Sequence, residues 1–218
     1  MLSMSRTTAE PTLPATDRRA RRRQETIIEI LDLAEQVVTE QGVNGLTLAE
    51  VARRLGVQPP SLYRYFASLD AVYDALFERG MLATVAVMRA AAHDASPGLP
   101  ALSAALEANG RYLLDHPALA QLMYWRPVPS YNASDEAMVA SNEMVDMQRG
   151  LLRDAVANGQ LGAPAAESDE ALFTVASIIS GVTTMAMANQ PGKRWGEDRF
   201  TPVFPRLIAL LPALFPPD

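Results

Sequence analysis

The 218-residue sequence contains no cysteine, two histidines and a single lysine, Lys193, among its 19 basic residues. Without cysteine there is no disulfide, no thiolate nucleophile and no thiolate metal site. His93 and His116 are too few to build a zinc or acid–base constellation. Each reads instead as a surface or capping residue, His93 near a helix end and His116 directly before Pro117. Asp115 beside His116 is no dyad, because consecutive helix residues do not face one another. The expectation is a protein that is not an enzyme and carries no cofactor or metal. No stretch approaches the roughly 20 uninterrupted apolar residues that a membrane-spanning helix needs. Residues 1–17, rich in Ser, Thr, Pro and Ala, lack the apolar centre and cleavage site of a secretory signal and are expected to form a disordered tail. A cytoplasmic protein without membrane contact is the corresponding expectation. The alternating pattern of half-buried strands is missing, as is any internal repeat.

What is present is apolar material for a core, 49% of the residues, and charge that is unevenly spread. The net charge is −6, which argues against a general polyanion binder. The first 66 residues nevertheless hold nine arginines against eight acidic residues, so a weakly basic head precedes an acidic body. Within that head Arg18, Arg19, Arg21, Arg22 and Arg23 form a cluster able to lie along a phosphate backbone by charge attraction and counterion release. A solubilising helix start is the alternative reading of the same cluster.

Helical periodicity runs through the chain. Ile27, Ile30, Leu31, Ala34, Val37 and Val38 recur at three- and four-residue steps, predicting a helix from about Arg18 to Gln41. Thr47 and Glu50 have the spacing of a capping box for a second helix ending near Leu55. Gly56 supplies a turn, and Pro59 or Pro60 suits the first turn of a third helix, roughly Pro59 to Tyr65. Ser68 and Asp70 start a long fourth helix to about His93. Further helices are expected to His116, from Pro117 to near Trp125, over 134–158, over 168–189, and from Pro202 or Pro205 through Leu214, giving an all-α chain of about nine helices.

The tract Thr47 to Phe66, TLAEVARRLGVQPPSLYRYF, has the organisation of a helix-turn-helix: a scaffold helix, a glycine turn, and a second helix with polar outward positions. Leu48, Val51, Ala52, Leu55, Val57 and Leu62 are assigned to internal packing. Gln58, Ser61, Tyr63 and Arg64 are assigned to the DNA side, Gln and Arg for base edges and hydroxyls for phosphates, with Tyr65 also on phosphate.

This tract and its continuation ASLDAVYDALFERG resemble the DNA-binding domain of the tetracycline-repressor (TetR) family, over about Arg21 to Gly80. The resemblance rests on Gly42, Leu46 with Thr47, the VARRLGV run and SLYRYF. It implies a three-helix DNA-binding domain (18–67) followed by a helical-bundle domain for effector binding and dimerisation (68–218). It further implies that Thr47 meets a phosphate, that Tyr63 and Tyr65 hold the backbone, and that the Pro59 to Ser61 turn approaches bases. Arg21, Arg22 and Arg23 complete the expected DNA-contacting set. Two positions depart from the family pattern: Leu69 stands where members present a lysine, and Pro59–Pro60 replaces side chains that in some members read bases. The operator sequence therefore does not carry over.

For the body, the small residues of 168–189 fit a helical interface with a second copy. One short recognition helix reads few base pairs, so a homodimer on a pseudo-palindromic double-stranded operator is expected. Tyr112, Met123, Tyr124, Trp125, Met138, Met144, Met147 and Phe173 concentrate methionine and aromatic character, the composition of a pocket for an apolar small-molecule effector. Plain core packing is the competing explanation for each of them singly. The function implied is a ligand-responsive regulator, a repressor released by its effector. The alternatives are an activator or protein-partnered DNA binder and, remotely, a small-molecule enzyme.

Overall fold

The computed structural model describes residues 15–125 and 127–217, and among them every regular element is helical. Residues 1–14 of the expected tail lie outside the described residues. Ten α-helices follow in order: α1 Ala15–Gln41, α2 Leu48–Leu55, α3 Leu69–His93, α4 Leu99–Asp115, α5 Pro117–Tyr124, α6 Asp135–Ala157, α7 Pro164–Glu167, α8 Asp169–Asn189, α9 Phe204–Ile208 and α10 Leu211–Leu214. The first helix thus begins before Arg18.

Local chemistry sets the head. The Thr47 hydroxyl accepts the Glu50 amide at 3.1 Å and starts α2. The reciprocal half of the expected capping box does not form, because the Glu50 carboxylate is taken by Arg53 and Arg54, each at 2.8 Å. Gly56 ends α2 with φ 73°, a left-handed conformation that side chains other than glycine resist. Arg54 also reaches Glu40 on α1 at 2.7 Å, so charge as well as packing fixes α2 against the long first helix. The apolar seam joining these helices holds Ile30, Ala34, Val37, Val51, Ala52 and Leu62, none of which is exposed.

In the body α3 is the central rod, and α4, α5 and α6 pack along it. Ser68 caps its start by accepting the Ala71 amide at 3.1 Å. The start of α4 is held from a distance, since the Leu99 amide donates to Gln160 Oε1 at 2.6 Å just past the end of α6. At Gly110 a Cβ would collide with the Trp195 ring, so glycine lets the 190–199 loop press onto α4, with Phe204 edge-on to the same indole at 5.3 Å. The last expected helix is divided into a 3-10 turn at Thr201–Val203 and the short α9 and α10. Pro202, Pro205 and Pro212 explain the division, because each removes an amide donor and obstructs the preceding turn.

One helix, α8, is long and apolar enough to cross a bilayer, contrary to the expectation from sequence. Ala171, Leu172, Val175, Ile179, Val182 and Ala186 on one side of it are buried in the core. Its other side carries Phe173, Ser177, Gly181, Met185 and Ala188, all exposed. The uncharged run arises because two opposite faces are apolar or small.

Candidate functional site

The segment after Gly56 departs from an ordinary α-helix. Residues Pro59–Arg64 form a 3-10 helix, closed by amides of Ser61 on Gln58 and of Tyr65 on Leu62. Two successive prolines supply no amide, and six residues is long for this tighter coil, whose runs seldom exceed three or four. Leu62 and Phe66 point inward and anchor it. Gln58, Pro60, Tyr63 and Arg64 are exposed, and Pro59, Ser61 and Tyr65 are half-buried. Val57, a packing position by sequence, is instead 37% exposed. It lies beyond the Gly56 turn and so off the helical period of α2.

Beside this segment the start of α1 builds a positively charged cleft from Arg19, Arg22, Arg23, Thr26, Arg64 and Tyr65. The spacing 19, 22, 23, 26 is one face of a helix. The Arg23 and Arg64 guanidiniums sit 5.4 Å and 5.7 Å from the centre of the Tyr65 ring, within cation–π range. Arg21 is on a different side of α1, paired with Glu25 at 2.9 Å. Arg19 belongs to the arginine cluster expected from the sequence, and Thr26 is the one addition from α1, its helical phase with Arg22 and Arg23 being readable in the sequence. Arg53 and Arg54 are occupied by Glu50 and Glu40, which pushes the Glu50 carboxyl down to about 2 through hydrogen bonds from both arginines. Among the described residues, the cations of this cleft belong to α1 and Arg64.

A second feature lies in the body. A cavity of about 440 Å³ opens between α3, α5, the 131–133 loop and α6. Of the sequence-expected pocket residues, Met123, Tyr124, Met138 and Met144 line it. Four others lie elsewhere. Tyr112 stacks on His116 at 4.4 Å. Met147 is partly buried away from the lining. Trp125, 40% exposed, donates its indole N–H to Thr184 at 3.3 Å, and Phe173 is 64% exposed on the outer side of α8. Helical phase separates these groups: Phe173 falls on the face opposite the buried Leu172 and Val175. Phe77 and Met81, one turn apart on α3, line the cavity and were not anticipated, nor was Tyr131. Tyr131 donates to Asp74 at 2.7 Å, and the same carboxylate accepts the Ser134 amide at 3.1 Å. These bonds seat the loop against α3. Burial raises the Tyr131 phenol well above its ordinary value, and the Asp74 carboxylate adds to the effect. The Tyr124 phenol is pushed up to about 12 by burial.

A short exposed segment on a capped scaffold helix, flanked by arginines and carried on a helical bundle with an internal cavity, defines the class as a helix-turn-helix regulator. Comparison with known proteins places it further. Residues 30–76 match the bacterial regulatory proteins of the tetR family, and residues 102–211 match the tetracyclin repressor-like C-terminal domain. The chain belongs to the TetR family of DNA-binding transcriptional regulators. Among curated relatives it is 45% identical over 49 residues to the class A tetracycline repressor from transposon 1721 of Escherichia coli, covering 22% of this chain and 23% of that one. It is 32% identical over 114 residues to the transcriptional repressor DrrR1 of Streptomyces coeruleorubidus, covering 50% and 40%. The chain spans at most 40% of the length of the curated relatives it matches. Its fold matches FadR of Bacillus subtilis, solved in complex with stearoyl-CoA, with a TM-score of 0.66 at 17% identity over 84% of this chain and 96% of that one.

Proposed function

We propose that the chain acts in the cytoplasm as a homodimeric repressor that a mainly apolar small molecule releases from a pseudo-palindromic operator. The observation that carries the reading is the continuous face made by Gln58, Pro59, Ser61, Tyr63 and Arg64 with the arginine cleft of α1. Gln58 and Arg64 suit base edges in a major groove, while Thr47, Tyr63, Tyr65, Arg22 and Arg23 suit phosphates. Residues 18–67 serve as the DNA-reading unit and 68–218 as the sensing and pairing unit.

Pairing is supported by the outer side of α8, where Phe173, Met185 and Gly181 leave an apolar strip with room for close approach. Val203, Leu210 and Leu214 of the C-terminal segments are exposed as well. Two copies then present two recognition segments to half-sites about one DNA turn, ~34 Å, apart. The cavity against α3 supports the sensing role, because α3 also packs against α1 of the head. An effector that binds one head spacing better than another shifts the population between them. The FadR complex with stearoyl-CoA supports an effector with a large apolar part.

Footprinting of the purified protein on DNA flanking its coding region, with a salt titration, tests the assignment. A symmetric protected site that disappears on adding an effector is the expected result. Uniform, sequence-independent protection would end the operator reading.

A further inference from the structure

A second hollow, of about 250 Å³, opens on the outside of the body where α5 meets the C-terminal end of α8 and the loop that follows. Leu114, Pro117, Trp125, Met187 and Pro191 give it apolar walls. It shares α5 with the inner cavity. Leu122, Met123 and Tyr124 line the inner side, whereas Pro117, Gln121 and Trp125, four residues apart, line this one.

Phe173, 64% exposed, stands near the other end of α8. It nevertheless shares a flank with the hollow. Thr184 and Met187 follow Phe173 by close to three and four whole turns of 3.6 residues. Trp125 lies over that same flank through its bond to Thr184. Between the two ends Gly181 is exposed, and a Cβ built there would meet nothing within 4 Å.

A two-fold axis across the outer side of α8 runs the helices of two copies antiparallel. It keeps each flank on its own side of the interface and exchanges the ends. An axis at Gly181, where the backbones can approach most closely, sets Phe173 of one copy over the 188–189 end of the other. Charge favours this direction. Asp169 and Glu170 open α8, Lys193 and Arg194 follow its far end, and all four are exposed. Antiparallel pairing turns the acids of each copy toward the cations of the other, whereas parallel pairing would set like charges together.

Resting on the homodimer reading above, we infer that Phe173 of each copy seats in the Trp125–Met187 hollow of the partner subunit, two identical plugs flanking an axis at Gly181. The ring exchanges water for apolar walls and serves as an aromatic anchor of the interface. Each plug bears on α5, the wall shared with the effector cavity. A ligand that shifts α5 therefore acts on the pairing of the copies as well as on the head.

The test exploits the absence of native cysteine. Phe173→Cys and Ala188→Cys, both at exposed positions, are made in separate full-length chains. A disulfide needs Cα atoms within about 7 Å, whereas two copies of either cysteine stand roughly 20–25 Å apart along the antiparallel helices. Under mild oxidation a mixture of the two chains should give a covalent dimer, and each chain alone should not. Phe173→Ala and Trp125→Ala should each weaken pairing about tenfold or more in sedimentation equilibrium, with the helical circular dichroism retained. The double variant should lose little more than either, because both remove one contact. Self-crosslinking of Phe173→Cys alone overturns the antiparallel seating. Full additivity, or no product from the mixture while the parent chain is dimeric, overturns it as well and leaves the hollow to a small molecule, with the dimer intact. A parent chain that is monomeric at micromolar concentration removes the dimer reading and this one together.

Discussion

His116 Nδ1 lies 3.2 Å from Glu35 Oε1, joining the α4–α5 junction of the body to the first helix of the head. Arg79 on α3 reinforces the same corner, 2.6 Å from Asp32 and 3.8 Å from Glu35. A change of shape around α5 therefore has a direct polar route to α1. Both partners keep some contact with solvent, so the pair should contribute modestly. A double-mutant cycle of Glu35→Ala and His116→Ala, read by thermal or urea unfolding, should give a coupling of about 0.5 kcal/mol. Strict additivity would mean that the two parts do not touch here.

Thr47 caps α2, and the proposed DNA face gives it a second, separable task. Its oxygen caps α2, leaving the hydroxyl proton free to donate to a phosphate. Thr47→Ala should cost about 1 kcal/mol of stability and also weaken DNA binding. Thr47→Asp keeps the acceptor but brings a negative charge to the phosphate, so stability should hold while operator affinity falls at least tenfold. A mutant of this kind that bound DNA as tightly as the parent would remove Thr47 from the interface.

The arginine cleft makes a prediction about salt. Arg22→Ala and Arg64→Ala should each reduce the slope of log affinity against log salt concentration by about 0.9 for every phosphate that the arginine neutralises. Arg21→Ala, whose partner is Glu25, should leave the slope unchanged. Binding measured by fluorescence anisotropy across several salt concentrations distinguishes them.

Phe173→Asp places a charge at the N-terminal end of the exposed α8 strip, where a second copy would have to desolvate it. Light scattering should report a monomer at micromolar concentration, with operator binding abolished and the helical circular dichroism retained. A dimer that persists in this mutant shows that the copies meet elsewhere.

Acid should act on the Glu50 network. The Glu50 carboxyl is held near 2 in the folded head, below its ordinary value of 4.5. Its contribution is therefore complete above about pH 4.5 and declines as pH falls towards 2. Glu50→Gln should lower the melting temperature at neutral pH, and the gap from the parent should close through that acid window. A gap constant down to pH 2 would show that the carboxylate is unpaired in solution.

The head was legible because its signals are local. Thr47, Gly56 and Ser68 each act within three or four residues of themselves, and Leu62 with Phe66 completes one inward face. The 3-10 geometry was harder to read, since a proline pair opens an α-helix as readily as a tighter turn. In the body, composition named the kinds of residue in the cavity but not its members. Met123 and Phe173 are equally apolar, and only the pairing of helices puts the first against a hollow and the second in water. Tyr131 depends on Asp74, 57 residues earlier, a relationship no local pattern carries. The division of the last helix could be read from Pro205 and Pro212. The outward half of α8 could not, because small residues serve a crowded core and an exposed contact equally well.

Gly110 lets an indole lie flat on the protein, and this gives the molecule an optical asymmetry. Of its two tryptophans, Trp195 is wedged between a glycine and Phe204, whereas Trp125 is open to solvent at the end of α5. Excited together they should emit as two populations, a bluer one from the partly buried Trp195 and a redder one from the more open Trp125. The first then reports on the C-terminal loop and the second on the helix beside the cavity, without any attached dye.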